Sequence, residues 1–426
     1  MFTVLVIGSG GREHTLAWKI SRSKSLKKLY CIPGNPGTSS VSENVSINIS
    51  DHDEVIKFCR EKSIDLIVIG PEQPLVDGLS DSLRKSGFKV FGPDADAAMI
   101  EASKSFAKDI MFKAGVPTAG YKEFDSGQFE EASDYLKTVN YPIVIKADGL
   151  AAGKGVIICE NFEQAGEALI QIFVDKVFGE SGCKLIIEDF LVGEEASIFA
   201  ITDGKDFLLL PSSQDHKRIG EGDTGKNTGG MGAYSPAPIV TDEIINIVAD
   251  KVIRPTLNQL SIEGKSFIGC LYAGLMIKDN NVNVVEFNCR FGDPETQAVL
   301  PLIDGDFLKL LYSAASGKLE KSSVGFSSAA SVCVVAASDG YPDVYRKGIE
   351  ITGIENITED IVIFHAGTKQ IGAQIFTDGG RVLGVTAISE DGDLKAAKKK
   401  AYSAMSKIHF DGIYYRKDIA DKALEH

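Results

Sequence analysis

Short apolar runs, each ending in a glycine or proline turn, organise about the first hundred residues. The run TVLVIG at 3–8 carries no charge, as in a strand buried on both faces of a parallel sheet. Such runs alternate with helical spacing of apolar residues, which predicts a parallel α/β layer. Ligands bind outside the carboxyl ends of parallel strands, so the turns are expected to form one ligand site. Further strands are expected at 28–32, 65–70 and 89–92, with helices near 52–62 and 74–86.

The first turn, GSGGREH at 8–14, approaches a dinucleotide-binding fingerprint but departs from it. Glu13 stands where that fingerprint requires a glycine, and Cys31 and Pro33 stand where an acidic ribose ligand is expected. The turn still offers backbone N–H groups at a helix N-terminus, with Arg12 as a cation beside them. It therefore favours a phosphate-bearing substrate over a dinucleotide. The alternative is a tight turn without a ligand.

The rest of the chain divides by composition. A helix near 102–114 is predicted to stop at Gly115. The polar, glycine-rich stretch 211–238 is expected to be a loop, and loops of that length are usually functional or disordered. A chain of 426 residues is too long for one hydrophobic core. The domains expected are 1–102, 103–326 with a lid at about 120–190, and 327–426.

A second glycine loop joins two predicted strands at 146–155. It is not a P-loop, because Gly149 and Gly153 are one residue too close and Gly155 replaces the Ser or Thr that would contact magnesium. Lys146 and Lys154 flank it, so it is suited to cover and neutralise a triphosphate. The alternative is an exposed hairpin with solvated lysines.

The stretch EFNCRFGDPETQ at 286–297 carries the densest set of functional groups. Glu286 and Asn288 are two residues apart, so on a strand their side chains leave the same face. Two oxygen donors suit a hard cation such as Mg²⁺, whose other positions go to phosphate and water. Arg290 shares that face if the strand continues. Cys289 points the other way and is expected to pack in the core.

Charge and cysteine usage bound the class of protein. The net charge is −14 without a basic run, which argues against nucleic acid or anionic membrane as the main partner. Seven scattered cysteines without a CxxC pair fit a reducing compartment, and a cytoplasmic location is expected. MFTVLVIGSGG predicts a strand and turn rather than a signal peptide, and no apolar run of about 18 residues occurs.

Nine motifs, in this order and spacing, resemble the phosphoribosylamine–glycine ligase family of the ATP-grasp superfamily. They are GSGGREH at 8–14, PGNPGT at 33–38, GPEQPLVDG at 70–78, SKSFAKDIM at 103–111, IKADGLAAGKGV at 145–156, EDFLVGEEAS at 188–197, SQDHKR at 213–218, NTGGMGAYSPAP at 227–238 and EFNCRFGDPETQ at 286–297. The resemblance implies an ATP-grasp fold, with an N-terminal Rossmann-like parallel α/β domain and a C-terminal α+β lobe.

The resemblance also implies roles for particular residues. It implies ATP contacts at Lys104, Lys146, Gly149, Gly153, Gly155, Glu188, Leu191 and Glu195. It implies Glu286 and Asn288 as ligands of Mg²⁺ or Mn²⁺, and a reaction centre of Arg290, Asp293, Glu295 and Lys146. It implies substrate contacts at Gly10, Gly11, Arg12, Glu13, Asn35, Gly37, Pro71, Glu72, Asp215, His216, Lys217, Gly230, Met231 and Arg290. For His216, a surface position with hydrogen bonds to its neighbours is the alternative to proton transfer or substrate binding.

The chain departs from the family pattern GDxGPNTGG. Lys226 stands where the family has proline, and Glu221 precedes Gly222. This departure bears on the rigidity of that loop and not on its role. The strand LYAGLMI at 271–277 holds no acid, so a second metal ion would bind mainly to phosphate and water.

The expected activity is the ATP-dependent joining of glycine to 5-phospho-β-D-ribosylamine through glycyl phosphate, in de novo purine biosynthesis. A monomer acting only on small molecules is expected. Phosphoryl transfer depends on positioning and charge, so no enzyme nucleophile is required. The alternatives are another ATP-grasp carboxylate–amine ligase, a nucleotide-dependent oxidoreductase and a non-catalytic nucleotide-binding module.

Overall fold

A computed structural model of the protein describes residues 1–149, 155–357 and 360–425. The N-terminal elements are β1 (Phe2–Gly8), α1 (Gly11–Ser21), β2 (Leu26–Pro33), β3 (Glu43–Asn44), α2 (His52–Glu61), β4 (Leu66–Ile69), α3 (Glu72–Val76), α4 (Leu79–Lys85), β5 (Val90–Phe91) and α5 (Ala95–Ala102). The five strands form a parallel sheet in the order β3-β2-β1-β4-β5, which confirms the predicted α/β layer. Both faces of β1 are buried, because helices cover the sheet on either side.

Two helix predictions in this part have different outcomes. The segment 74–86 is divided into α3 and α4, because Gly78 between them adopts a left-handed conformation with φ of 82°. The helix predicted near 102–114 is confirmed as α6 (Lys104–Ala114), which ends at Gly115. The Ser103 side chain caps α6 by accepting a hydrogen bond from the Phe106 N–H at 3.1 Å.

A separate antiparallel sheet follows along the chain. Its elements are β6 (Tyr121–Asp125), α7 (Phe129–Leu136), β7 (Ile143–Ala147), β8 (Val156–Cys159), α8 (Phe162–Phe173) and β9 (Lys184–Asp189). The strand order is β6-β9-β7-β8, and both helices pack against the sheet around a small apolar core. The centre of the second glycine loop, with Gly153 and Lys154, lies outside the described residues.

The central region contains the strand that carries Glu286. Its elements are β10 (Glu194–Asp203), β11 (Phe207–Leu209), β12 (Gln214–Asp215), β13 (Arg218–Gly220), β14 (Thr224–Asn227), β15 (Gly232–Ser235), α9 (Asp242–Ile247), a π-helical segment (Val248–Ile253), α10 (Arg254–Ile262), β16 (Ile268–Lys278), β17 (Asn281–Asn288), α11 (Glu295–Val299), β18 (Ile303–Gly305), α12 (Phe307–Ala315) and β19 (Val324–Phe326). An antiparallel sheet has the order β11-β10-β16-β17. Asp279 and Asn280 join β16 to β17 in a two-residue turn with φ of 49° and 61°.

The C-terminal elements build the largest sheet. They are β20 (Ala330–Ser338), β21 (Glu350–Ile351), β22 (Ile361–His365), β23 (Thr368–Ile371), β24 (Gln374–Thr377), β25 (Arg381–Ser389), α13 (Leu394–Met405) and β26 (Ile413–Tyr414). The sheet has the order β12-β15-β20-β25-β22, and β26 also pairs with β20. A three-stranded sheet has the order β21-β24-β23.

The prediction of one continuous loop at 211–238 is wrong. The stretch 211–238 contains four short strands, β12 to β15, and β15 pairs with β20 over residues 232–235. Hydrogen bonds between these strands therefore cross the domain boundary proposed at residue 326. No helix in the described ranges is long and apolar enough to span a membrane.

Candidate active site

A cleft of about 650 Å³ lies where the three sheets of the central, lid and C-terminal regions meet the N-terminal domain. It brings together residues that are far apart in sequence. The predicted site residues that line it are Arg12, Glu72, Lys104, Lys146, Gly149, Gly155, Glu188, Glu195, Asp215, Lys217, Glu286, Asn288, Arg290, Asp293 and Glu295.

Glu286 and Asn288 lie on the same face of β17 and line the cleft, as the alternation predicts. Phe287 and Cys289 point into the core, where Cys289 is buried as expected. Burial opposes ionisation of Glu286, but nearby cations, above all Lys217, outweigh it and lower its pKa. The carboxylate is therefore charged and available to a cation at neutral pH.

Three lysines converge beside this pair. Lys146 Nζ lies 2.9 Å from the Glu188 carboxylate and donates to the Val285 carbonyl at 3.2 Å. Lys108 Nζ lies 3.4 Å from the other Glu188 oxygen, and Lys104 donates to the Gly149 carbonyl at 2.9 Å. Burial lowers the pKa of Lys108 to about 8. The buried Glu188 side chain therefore fixes two cations, and the ATP contact that the resemblance implies for Glu188 stays a prediction.

A second charged group surrounds Lys217. Its ammonium pairs with Glu195 and lies 3.8 Å from Glu286 Oε1. Burial raises the pKa of the neighbouring Asp215 to about 8, although Lys217 acts against that rise. Glu195, which the resemblance implies as an ATP contact, is in this structure an ion-pair partner of Lys217.

Arg290 lies beyond the end of β17 and bridges two helices. Its Nε lies 3.1 Å from Glu72, at the start of α3, and its second amino group lies 2.6 Å from Glu101, in α5. Burial favours the neutral form of Glu72, but Arg290 and then Arg12 outweigh it and lower its pKa to about 2. This bridge fixes the guanidinium at the edge of the cleft.

The turn GDPE at 292–295 holds two carboxylates, Asp293 and Glu295, whose surroundings differ. Glu295 accepts a hydrogen bond from the buried Tyr272 hydroxyl at 2.9 Å, and burial raises its pKa. Asp293 lies 3.2 Å from Arg381 and accepts from Gln297 at 2.8 Å. Burial disfavours its charge, but Arg381 outweighs that effect and lowers the pKa of Asp293.

The N-terminal turn already contains carboxylates of the chain. The Gly10 N–H donates to Glu13 at 2.6 Å, and the Arg12 N–H donates to Asp293 at 3.1 Å. The Arg12 guanidinium bonds Glu13 and the Phe291 carbonyl. In this structure the N–H groups of the turn bond Glu13 and Asp293, and a substrate phosphate at this turn stays a prediction.

Several residues implied as ligand contacts do not line the cleft. They are Gly10, Gly11, Glu13, Asn35, Gly37, Pro71, Leu191, His216, Gly230 and Met231, while Gly153 lies outside the described residues. Asn35 joins two domains, since its amide donates to the carbonyls of Ser9 and His365, each at 2.8 Å.

His216 is buried rather than on the surface, so the surface alternative is wrong. Its ring nitrogens have no hydrogen-bond partner among the described residues. Burial and the nearby Arg416 lower its pKa to about 4. A neutral ring fits packing against Tyr234, whose ring centroid is 6.0 Å away.

Among the lining residues that sequence reasoning missed are Lys108, Glu101, Tyr272 and Arg381. One signal was available, because Lys108 follows Lys104 by four residues and so shares its helix face. Arg381 comes from β25, and only the fold places it beside Asp293.

The protein supplies part of the coordination that a divalent metal ion requires. No group of three His, Cys, Asp or Glu side chains suited to a metal is found in the described chain. Glu286 and Asn288 supply two oxygen donors, a number that suits Mg²⁺ when phosphate and water complete its coordination.

Fold and site together define an ATP-grasp protein. A family model described as the phosphoribosylglycinamide synthetase ATP-grasp domain matches residues 102–296, and the N and C domains of that family match 2–101 and 331–422. The chain belongs to the phosphoribosylglycinamide synthetase family.

Individual relatives agree over almost the whole chain. A phosphoribosylamine–glycine ligase of Synechocystis is 48% identical over 426 residues, covering 99% of this chain and 100% of the relative. One from Escherichia coli O157:H7 is 46% identical over 427 residues, covering 99% of each. The crystal structure of the enzyme from Thermotoga maritima has a TM-score of 0.85 at 34% identity, covering 98% of this chain and 100% of that one. A biotin carboxylase from Campylobacter jejuni has a TM-score of 0.70 at 16% identity, with 100% and 95% covered, and shares the fold alone.

Proposed function

We propose that the protein joins glycine to 5-phospho-β-D-ribosylamine, with ATP converted to ADP and phosphate, as a step of purine biosynthesis. The observation that carries the proposal is the convergence of Glu286, Asn288 and the lysines 104, 108 and 146 in one cleft. The relatives named above bear the name of this activity. The oxidoreductase and the non-catalytic module are not favoured, since the cleft combines an oxygen pair with cations.

The reaction proceeds in two steps. A carboxylate oxygen of glycine attacks the γ-phosphorus of ATP, the bond to the bridging oxygen breaks, and ADP leaves. The amine nitrogen of the ribosylamine then attacks the carbonyl carbon of glycyl phosphate, phosphate leaves, and the nitrogen loses a proton. The products are N1-(5-phospho-D-ribosyl)glycinamide, ADP and phosphate.

The chain's own residues act on the substrates through their charge and their position. Lys104 and Lys146 bind the triphosphate, and Glu188 holds Lys146 in place. A bound divalent ion, which we propose is Mg²⁺ on Glu286 and Asn288, supplies further charge stabilisation of the phosphates. Arg290 orients the glycine carboxylate, and its bridge to Glu72 and Glu101 keeps it fixed.

The two carboxylates of the GDPE turn divide their roles. Asp293, whose pKa is lowered, stays ionised and positions substrate groups through its contacts with Arg381 and the Arg12 amide. Glu295, whose pKa burial raises, is suited to accept the proton that the attacking amine loses. The remaining implied contacts stay predictions, as do the monomeric state and the cytoplasmic location.

An ADP-release assay tests the proposal. Continued ADP release over many turnovers is expected only when ATP, glycine and freshly prepared phosphoribosylamine are all present, because the amine must consume glycyl phosphate before the next turnover. Alanine or serine in place of glycine is expected to lower the rate about tenfold or more, because a small pocket rejects the added atoms. Equal rates with another acid or amine would identify a different ligase, and ADP release without glycine would contradict the two-step reaction, because glycine accepts the phosphoryl group in its first step.

A further inference from the structure

The amine substrate of the proposed reaction carries its own phosphate. A phosphate monoester has a charge between about −1.5 and −2 at neutral pH, so it requires cations or N–H donors. The lysines 104, 108 and 146 face Glu188 and Glu286 and would be occupied by ATP. A second anion site must therefore lie elsewhere in the cleft.

The N-terminal turn is poorly suited to this dianion. Its N–H groups at Gly10 and Arg12 already bond Glu13 and Asp293. The Arg12 guanidinium bonds Glu13 and lies 3.8 Å from Glu72. A dianion would meet three carboxylates there and compete with them for the same donors.

Another part of the cleft lining offers cations. We call the residues Arg218, Asn227 and Lys422 the hairpin wall, because Arg218 pairs with Asn227 across β13 and β14 and Lys422 contacts the turn between these strands. All three line the cleft. Arg218 donates to the Gly225 carbonyl at 2.8 Å and forms no ion pair within the described residues.

Arg218 is the surplus cation of this wall, because Arg416 and Lys422 together balance the charges of Asp223 and Asp418. Arg416 is 1% exposed and bonds Asp223 at 2.8 Å and Asp418 at 2.6 and 2.7 Å. Asp223 also pairs with Lys422. If Lys422 turns towards a bound phosphate, Asp223 keeps its ion pair with Arg416 at 2.8 Å.

The wall also lies close to the reaction centre along the chain. Arg218 follows Lys217, whose Nζ is 3.8 Å from Glu286. Two residues beyond Asn227, the Gly229 carbonyl accepts from Arg381, which in turn holds Asp293. A phosphate bound at the hairpin wall would therefore lie in the same cleft as Glu286 and Asp293.

We propose that the hairpin wall binds the 5-phosphate of the ribosylamine substrate, with Arg218 and Lys422 as its cations. This assignment rests on the proposed function, which names a phosphorylated amine. It places specificity for the phosphorylated sugar on the C-terminal half of the chain rather than on the N-terminal turn.

Binding of ribose 5-phosphate, measured by calorimetry and as inhibition of ADP release, tests the assignment in the double variant R218M/K422M. Its dissociation constant is expected to rise about 100-fold, at about tenfold for each lost charged contact. The KM values for ATP and glycine are expected to stay within about twofold. The charge-retaining variant R218K/K422R should keep most of the affinity, and K226M, on the same hairpin but exposed and paired with Asp343, should match the unmodified protein.

Three results would overturn the assignment. These are unchanged ribose 5-phosphate affinity in R218M/K422M, an equal rise in the KM for ATP, and loss of affinity in R12M instead. Failure of the proposed function is distinguishable, because then the unmodified protein would release no ADP in response to phosphoribosylamine.

Discussion

The variant E286Q is expected to lower kcat about 10³-fold while the protein stays folded. Glu286 lines the cleft, and its ionised carboxylate is the only formal negative charge of the proposed metal pair. Glutamine keeps the shape but removes that charge, and the loss of one such electrostatic contribution costs about 10² to 10³ in rate. The measurement is steady-state ADP release at several Mg²⁺ concentrations, with circular dichroism to verify folding.

Exposed Glu123, on β6 of the lid, provides the matched control. E123Q carries the same chemical change and should leave kcat within about twofold, since surface substitutions away from a site have small effects. Near-normal turnover of E286Q at low Mg²⁺ would remove Glu286 from the proposed metal pair.

The variant R290M is expected to lower the free energy of unfolding by about 3 kcal/mol and also to abolish turnover. The bridge from Arg290 to Glu72 and Glu101 is largely buried, with Arg290 17% and Glu101 6% exposed. Removing one partner of a buried ion pair costs about 3 to 5 kcal/mol. Burial raises the pKa of Glu101, so proton uptake by Glu101 in the variant keeps the loss near the lower figure.

The effect of R290M should depend on pH in a defined direction. The pKa of Glu72 falls from 4.5 to about 2 in the folded protein, so its stabilising contribution is present above pH 4.5 and lost as the pH approaches 2. The difference in unfolding free energy between R290M and the unmodified protein should therefore shrink over that interval. Urea unfolding at pH 7, 5 and 3.5 measures it.

Arg346 pairs with Asp411 on the surface, where their side chains are 67% and 75% exposed, so R346M is the matched control. Exposed pairs contribute about 0 to 1 kcal/mol, and R346M should lose no more than that. A loss of the same size in both variants would show that the bridge has no special stabilising role.

Local sequence pattern was sufficient to predict an element where apolar runs or the alternation of apolar and polar residues match the burial that the structure shows. The uncharged run at 3–8 predicts β1, and the alternation at 286–289 places Glu286 and Asn288 in the cleft with Phe287 and Cys289 in the core. Gly115 predicts the end of α6, because helices commonly end at a glycine in the left-handed conformation, which Gly115 adopts.

Pattern was insufficient where long-range contacts decide. The strands at 211–238 are two to four residues long, too short to show the alternation of apolar and polar residues that marks a strand. The position of β15 is fixed instead by its pairing with β20. Glu101 and Arg381 reach the cleft only because distant elements pack beside β17 and the GDPE turn. Glu188 pairs with two lysines because the fold brings Lys108 of α6 and Lys146 of β7 to the same carboxylate.

Lys226, which departs from the family pattern, pairs with Asp343 at 2.7 Å on the surface. The hairpin gains a link to the C-terminal region at the position where the family has proline. This exposed contact lies on the same hairpin as Arg218 but is not among the residues that line the cleft.

The most direct test of the central claim follows oxygen atoms from glycine. With both carboxylate oxygens of glycine labelled as ¹⁸O, attack on ATP followed by amine attack transfers one labelled oxygen to the released phosphate. Mass spectrometry of that phosphate is predicted to find one ¹⁸O atom per phosphate, at the enrichment of the glycine. Unlabelled phosphate would show that water, and not the glycine carboxylate, receives the phosphoryl group, and would contradict the proposed glycyl phosphate.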